Sequence, residues 1–270
     1  MPPVFCFIDD SAFELDVFAR CIVPAAPDFE FVLGSTYDQV QTALERRYPA
    51  AFILDLYGRD PELPASGLPS RQELEREIAR IPSLDQVYQN LDAFAGDKVN
   101  EYLKRLFHVA DAWRQLFTRV FQMAGQNTGY GLGNLARARQ DYPAAAAVAY
   151  TRKSMIHDAA LALAHGVDGL NLKPDGPTDE DIYRVTAQAA PALIQQWSRL
   201  AVRRATDYLR RLKLALYEAG LAEEAHGLVP KSELSDEARR VVGPGGVRFL
   251  ESSASAWMRS AIEQTARKNP

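Results

Sequence analysis

The stretch Phe52-Ile53-Leu54-Asp55-Leu56 constrains the fold more than any other. It follows Pro49-Ala50-Ala51 and leads into Tyr57-Gly58. A short, continuously apolar run closed by a carboxylate and then a glycine reads as a strand buried on both faces of a parallel sheet. Its last residue then stands at the carboxyl edge, where open α/β sheets place their chemistry. Asp55 alone proves little, because an Asp at a strand end more often caps a helix or a turn.

Other parts of the chain send groups to the same edge. Val4-Phe5-Cys6-Phe7-Ile8 is a second wholly apolar run, closed by Asp9-Asp10. Ser11 caps a helix whose inward residues are Phe13, Leu15, Val17, Phe18 and Cys21 and which stops before Pro24. Phe29 to Gly34 predicts another strand, Ser35 to Arg47 a helix, and Pro49 its end. This β-α-β-α-β pattern favours a right-handed, parallel, doubly wound sheet.

The alternation is then interrupted. Arg59 to Pro69 is a loop by its Pro, Ser and Gly content. Ser70 with Glu73 opens a short charged helix, Ser83 another, and Asp97 a long one that ends at Gly125. In the long helix Val99, Tyr102, Leu106, Ala110, Trp113, Phe117 and Val120 repeat at helical spacing. Leu103, Phe107, Leu116 and Phe121 broaden the stripe, which predicts a helix covered on two sides. Residues 58–141 read as an all-helical insertion with no strand of its own.

Ala144 to Tyr150, ending at Thr151, resumes the sheet. Met155 to His165 is a helix, and Leu170-Asn171-Leu172 is a final strand ending at Lys173-Pro174. Thr178 starts the last helix of this part, which Pro191 kinks or breaks. Beyond it, residues 193–270 form a helical region with a polar turn near Pro230 and a break at Gly243-Pro244-Gly245-Gly246. The expected domains are therefore a discontinuous one of residues 1–57 and 142–192, the insertion, and the helical C-terminal region. The fold class is α/β: five parallel strands in the flavodoxin-like order 2-1-3-4-5.

Composition narrows the setting. The 270 residues are 47% hydrophobic and 24% charged, with a net charge of -4, which argues against a protein that is basic as a whole. Cys6 and Cys21 are the only cysteines and have no metal-type spacing. No uncharged apolar stretch approaches the roughly 18 residues of a membrane helix, and Met1-Pro2-Pro3 is not followed by a basic and then apolar leader. A reduced, cytoplasmic protein is expected.

Asp9 and Asp10, Asp55, Thr151 and Lys173 all fall at the carboxyl ends of predicted strands. Three carboxylates brought together repel one another and suit a hard divalent cation such as Mg²⁺. Asp55 can then act as a nucleophile toward phosphorus. Such transfers need mainly positioning and neutralised charge. The Lys173 ammonium and the Thr151 hydroxyl can each hold a phosphoryl oxygen.

At this point the chain resembles the receiver domain of two-component response regulators. The resemblance lies in Phe7-Ile8-Asp9-Asp10, Phe52-Ile53-Leu54-Asp55, Ala149-Tyr150-Thr151 and Leu172-Lys173-Pro174, in the family's order. It covers about residues 4 to 56 and 143 to 190. It implies Asp55 as phosphoacceptor, Asp9 and Asp10 as metal residues, and the Tyr57 carbonyl completing the metal site. Thr151 would be the switch hydroxyl and Lys173 the phosphate partner. A histidine kinase or phosphotransfer protein would be the donor, and the enzymatic content would be phosphoryl acceptance and slow loss. Haloacid-dehalogenase-like phosphatases use similar groups. Their nucleophilic Asp comes first in the chain with a second Asp two residues later, whereas position 57 here is Tyr. Leu170 stands where the receiver family usually carries an aromatic residue, which leaves the usual coupling to Thr151 without its ring.

The other motifs have plainer readings. His108 is expected to be a core or edge histidine rather than a phosphotransfer residue. Gly129-Tyr130-Gly131-Leu132-Gly133 lacks a Gly-Lys-Ser/Thr ending and reads as a flexible connector. The basic run of residues 199–213 reads as a solvated face or a homodimer seam more readily than as a nucleic-acid surface. Three functions are therefore carried forward: a phosphoacceptor signalling through its helical parts, an unphosphorylated receiver-like scaffold, and a transcriptional regulator using the basic helix.

Overall fold

Short apolar runs become central strands when both of their faces are covered, and three segments here meet that condition. The computed structural model describes residues 2–59, 67–152, 156–227 and 234–268. Strand β1 (Val4–Ile8) is buried at every position. Helix α1 (Ala12–Val17) follows, capped by Ser11. The chain continues through a π turn at Phe18–Ile22 and a 3-10 turn at Val23–Ala25. The helical path therefore does not stop before Pro24, since a proline in a first turn has no intrahelical bond to lose. Strand β2 (Glu30–Gly34) and helix α2 (Tyr37–Leu44) precede β3 (Ala51–Leu54), again wholly buried.

By contacts the chain divides into two compact units, residues 1–58 with 131–270, and residues 59–130. The smaller unit contains α3 (Arg71–Ile78) and α4 (Leu84–Tyr88), each opened by a capping box, and α5 (Lys98–Met123), capped by Asp97. The expectation of no strand here is corrected by a two-residue ladder of β4 (Gly58–Arg59) and β5 (Gln126–Asn127). The two-sided covering of α5 is also corrected. Only Val109 and Leu116 are buried along it, while Val99, Leu103, Phe107 and Phe117 are exposed. The apolar stripe is wider than the neighbours that pack on it. His108 is exposed as well. The expected loop at 60–66 lies outside the described residues.

Helix α6 (Gly129–Asp141) leads back to the larger unit. The glycine-rich stretch is thus the start of a helix rather than a flexible connector. Glycine weakens a helix by about 1 kcal/mol relative to alanine, but Gly131 sits where no Cβ would fit against the backbone of Asp55 and Leu56. Strand β6 (Ala146–Thr151), helix α7 (Ile156–Ala164) and strand β7 (Gly169–Leu172) complete the sheet. Met155, the expected first residue of α7, lies outside the described residues.

The five strands are parallel, in the order β2-β1-β3-β6-β7. This is the doubly wound, flavodoxin-like order expected. The register decides what meets at the carboxyl edge. Ile8 pairs with Leu54 and Leu54 with Ala149, while Thr151 pairs with Leu172. Asp9, Asp55, Thr151 and Lys173 therefore come to one edge of adjacent strands.

Helix α8 (Asp179–Glu218) is 40 residues long and runs through Pro191 without a break. A proline inside a helix costs ~3 kcal/mol or more. The buried row through Ala190, Leu193, Ile194, Trp197, Ala201, Ala205, Leu209, Leu212 and Leu216 offsets it, since each large apolar side chain contributes about 1.5–3 kcal/mol when fully buried. Helices α9 (Ala222–Gly227), α10 (Asp236–Leu250) and α11 (Ser253–Lys268) pack along α8 in the same unit. The break expected at Gly243 is present as a kink, with φ 70° and ψ 173°. The turn expected near Pro230 lies outside the described residues. Both cysteines are free and buried, and among the described residues no helix is long and apolar enough to cross a membrane.

Candidate functional site

The order of these strands reverses between β1 and β3, and ligands of open α/β sheets bind at such a switch point. Asp9 follows β1 and donates its N–H to the Gly34 carbonyl (3.2 Å), while Asp55 follows β3 and donates to the Ile8 carbonyl (2.9 Å). Continuing the ladder beyond the last strand residue holds each carboxylate in place. Ligand oxygens of Asp9, Asp10 and Asp55 all lie within 4.8 Å of one another. Asp9 and Asp55 are buried and Asp10 half-buried. Asp9 also accepts from the Ser11 N–H (2.9 Å), which fixes its side chain at the mouth of α1.

Lys173 enters from β7, its N–H bonded to the Thr151 carbonyl (3.0 Å). Its ammonium contacts the Asp9 carboxylate and lies 3.2 Å from Asp55 Oδ1 and 3.7 Å from Glu14 Oε2. The rings of Phe7 and Tyr150 each lie 5.9 Å from Nζ. They belong to an aromatic stack in which Phe18 lies against Phe7 on one side and Trp197 of α8 on the other. Thr151 is buried at the end of β6. Four of the five groups named from the sequence thus lie in a buried edge site, with Asp10 at its margin.

Charge sets the chemistry of this cluster. Burial pushes the Asp9 carboxyl up to about 7, reinforced by Asp55 and opposed by Lys173. Burial pulls the Lys173 ammonium down, but Asp55, Asp9 and Glu14 together hold it above its ordinary range. An all-carboxylate donor set at this spacing fits a hard divalent cation, which takes oxygen ligands and leaves room for a phosphoryl oxygen. Three acids, two of them buried, with one ammonium have charge to spare for such an ion.

Some partners carried no legible signal in the chain. Arg152, next to Thr151, donates to Glu14 from Nε (3.1 Å) and Nη2 (2.9 Å), and to Asp175 (2.6 Å) and the Pro174 carbonyl (2.8 Å). It ties the loop after β6 to α1 and to the segment after Lys173. The Tyr57 hydroxyl donates to buried Asp158 Oδ1 of α7 (2.8 Å), and burial with that carboxylate pushes the phenol up. Gly131 donates its N–H to the Leu56 carbonyl (3.2 Å). Glu14 had one weak cue, its position three residues after the capping Ser11. Leu170 is half-buried on β7. Of the basic run, Arg204 is turned inward, donating to the Pro143 carbonyl (3.0 Å).

The fold and site together define a doubly wound, flavodoxin-like sheet with an acidic edge, a helical insertion and a helical extension. Solved structures similar to the chain include a response regulator receiver domain protein (CheY-like) from Methanospirillum hungatei JF-1. It shares 10% identity over 73% of this chain and 99% of that one, with a TM-score of 0.33. A response regulator receiver domain protein from Clostridium thermocellum shares 12% identity over 72% and 98%, with a TM-score of 0.34. No family model and no curated protein matches the chain. The fold assignment rests on strand order and register.

Proposed function

We propose that the acidic edge is a phosphoacceptor site and that the chain is a response regulator acting through protein contacts of its helical parts. One observation carries this reading: three carboxylates gather within 4.8 Å, with a buried ammonium 3.2 Å from Asp55. A histidine kinase or a phosphotransfer protein is the donor. An Asp55 oxygen attacks phosphorus, the bond from phosphorus to the donor imidazole breaks, and the ring nitrogen keeps the electron pair and takes up a proton. The product is an aspartyl phosphate, which water later cleaves to inorganic phosphate and the free carboxylate.

Asp9, Asp10, Asp55 and the Tyr57 carbonyl would hold Mg²⁺. When bound, it neutralises charge on the phosphoryl oxygens. Lys173 turns its ammonium from Asp9 to a phosphoryl oxygen, and Thr151 donates its hydroxyl to another. The phosphoryl group puts about two negative charges where the Asp55 carboxylate carried one. Arg152, tied to both Glu14 and Asp175, carries that change to the loops flanking the site. Residues 1–57 and 142–192 form the accepting part. Residues 58–141 and 193–270 form the output, through a changed partner or a homodimer.

The experiment is incubation with Mg²⁺ and a small acyl phosphate, followed by intact mass beside an Asp55→Asn variant. A phosphoryl adduct on the wild type alone supports the reading. No adduct, with no binding of Mg²⁺ or beryllofluoride, overturns it. The unphosphorylated scaffold is favoured by one observation, the ion cluster in which Lys173 is already paired with Asp9 and Asp55; the same negative result would favour it.

A further inference from the structure

A second charged site lies at the other end of the sheet. Tyr48 and Pro49 lead directly into β3, so the loop after α2 lies at the amino edge, away from Asp55. There an open cleft of about 870 Å³ separates this loop from the kinked helix α10. That volume is in the range of about 300–1,000 Å³ typical of small-molecule sites.

Arginine dominates the lining: Arg46 and Arg47 from the loop, Arg239, Arg240 and Arg248 from α10. The opposing charges in the lining are Glu45 and Glu251. Three of the arginines are already engaged. Arg47 bonds the Glu30 carboxylate and the Ala43 carbonyl (2.8 Å), and Arg239 bonds Glu251 (3.0 Å). Arg248 bonds the Asp141 carbonyl and lies 4.9 Å over the Tyr142 ring. Arg46 and Arg240 are exposed and have no acceptor among the described residues. Glu251 is spent on Arg239, which leaves Glu45 as the one carboxylate facing two unsatisfied guanidinium groups.

Two further features meet at the same place. Ser252 and Ser253, at the start of the 16-residue helix α11, also line the cleft, and the amino end of a helix favours anions. Both walls turn at left-handed backbone positions, Glu45 with φ 54° and Gly243 with φ 70°. A non-glycine residue held at positive φ is strained, and such strain gathers at ligand sites. Tyr48, Pro244 and Val247 supply apolar surface between the charges.

We infer that this cleft binds a nucleotide-sized phosphorylated small molecule carrying two or more phosphates. The planar forks of Arg46 and Arg240 match phosphate oxygens, and the apolar surface takes a flat ring. An extended nucleic acid fits less well: the unsatisfied cations are two, Glu45 and Glu251 stand in the lining, and the chain carries a net charge of -4.

The test is calorimetric titration of the full chain, without divalent cations, using adenosine triphosphate, pyrophosphate, adenosine and a short DNA duplex. Saturable binding of the triphosphate, weaker binding of pyrophosphate and none of adenosine are expected. In an R46E/R240E variant affinity should fall about a hundredfold, roughly tenfold per lost charge-assisted contact, with an unchanged circular dichroism spectrum. An Asp55→Asn variant should bind as wild type, separating this site from the acidic edge. Absence of saturable triphosphate binding, or binding that survives R46E/R240E, overturns the inference. Binding of the duplex alone, lost in that variant, overturns it in favour of nucleic acid.

Discussion

Gly131 lies so close to Asp55 that a Cβ built on it would stand 2.5 Å from the Asp55 carbonyl oxygen and 2.6 Å from Leu56 Cα. Both obstacles are backbone, which cannot swing aside as a side chain would. A Gly131→Ala variant should therefore lose about 1–3 kcal/mol of stability, although alanine is the better helix former. Denaturant unfolding measures this. A variant as stable as wild type would mean that the helix start shifts without strain.

Mg²⁺ binding should weaken as pH falls through about 7. Burial holds the Asp9 carboxyl up at about that value, so below it the proton occupies an oxygen the cation needs. Well below 7, affinity should drop roughly tenfold per unit, because metal and proton compete for one carboxylate. Above 7 the dependence should flatten. Calorimetric titration with Mg²⁺ at a series of pH values checks both halves of the profile, and an Asp9→Asn variant should lose the dependence.

Replacing Lys173 with methionine keeps its length and removes its charge. Asp9 and Asp55 would then face each other inside the protein without an ammonium. Breaking a buried ion pair from one side costs about 3–5 kcal/mol. The loss should be smaller when Mg²⁺ is present, since a divalent cation replaces the missing charge. Thermal melts with and without Mg²⁺ measure the difference; equal losses in the two would argue against a metal at this edge.

Tyr57→Phe separates two roles of one residue. The hydroxyl bonds buried Asp158, and loss of a hydrogen bond to a charged group costs about 1.5–3 kcal/mol. The proposed metal ligand is the main-chain carbonyl, which the change leaves in place. Stability should fall while Mg²⁺ affinity stays within about twofold, a change of less than 1 kcal/mol.

Glu45 has φ 54° and ψ -106°, a conformation that glycine adopts freely and other residues resist. A Glu45→Gly variant should gain about 1 kcal/mol, the relief of strain exceeding the added freedom of the unfolded chain. Chemical denaturation of the two proteins is sufficient to see it.

The central strands and the acidic edge were legible because burial on both faces and a polar terminus are local properties of a few adjacent residues. β1, β3 and β6 declare themselves this way, and parallel register then brings Asp9, Asp55, Thr151 and Lys173 together without further information. What escaped depended on partners distant in sequence. Gly131 looks like a loop residue until the backbone of Asp55 is placed beside it. Pro191 looks like a helix end until the buried row on either side of it is seen to continue. Arg152 and Glu14 are 138 positions apart, and nothing local to either announces the other. The exposed side of α5 departs from its sequence pattern for the opposite reason, since hydrophobic spacing reports which residues could be covered and not whether a neighbour is there.

Helix α8 begins six residues after Lys173 and continues for 40 residues. At a rise of 1.5 Å per residue it is a rod of about 60 Å, about twice the diameter of a small domain. Its first turns rest beside the acidic edge, where Thr186 lies near Lys173, and α9, α10 and α11 pack along it. A rod pivoting near one end magnifies small rotations: a tilt of about 3° at the Lys173 end moves the Glu218 end by about 3 Å at that length. Arg204, in the far half, donates to the Pro143 carbonyl, so a displacement of the helix there would be passed to the segment that leads into β6.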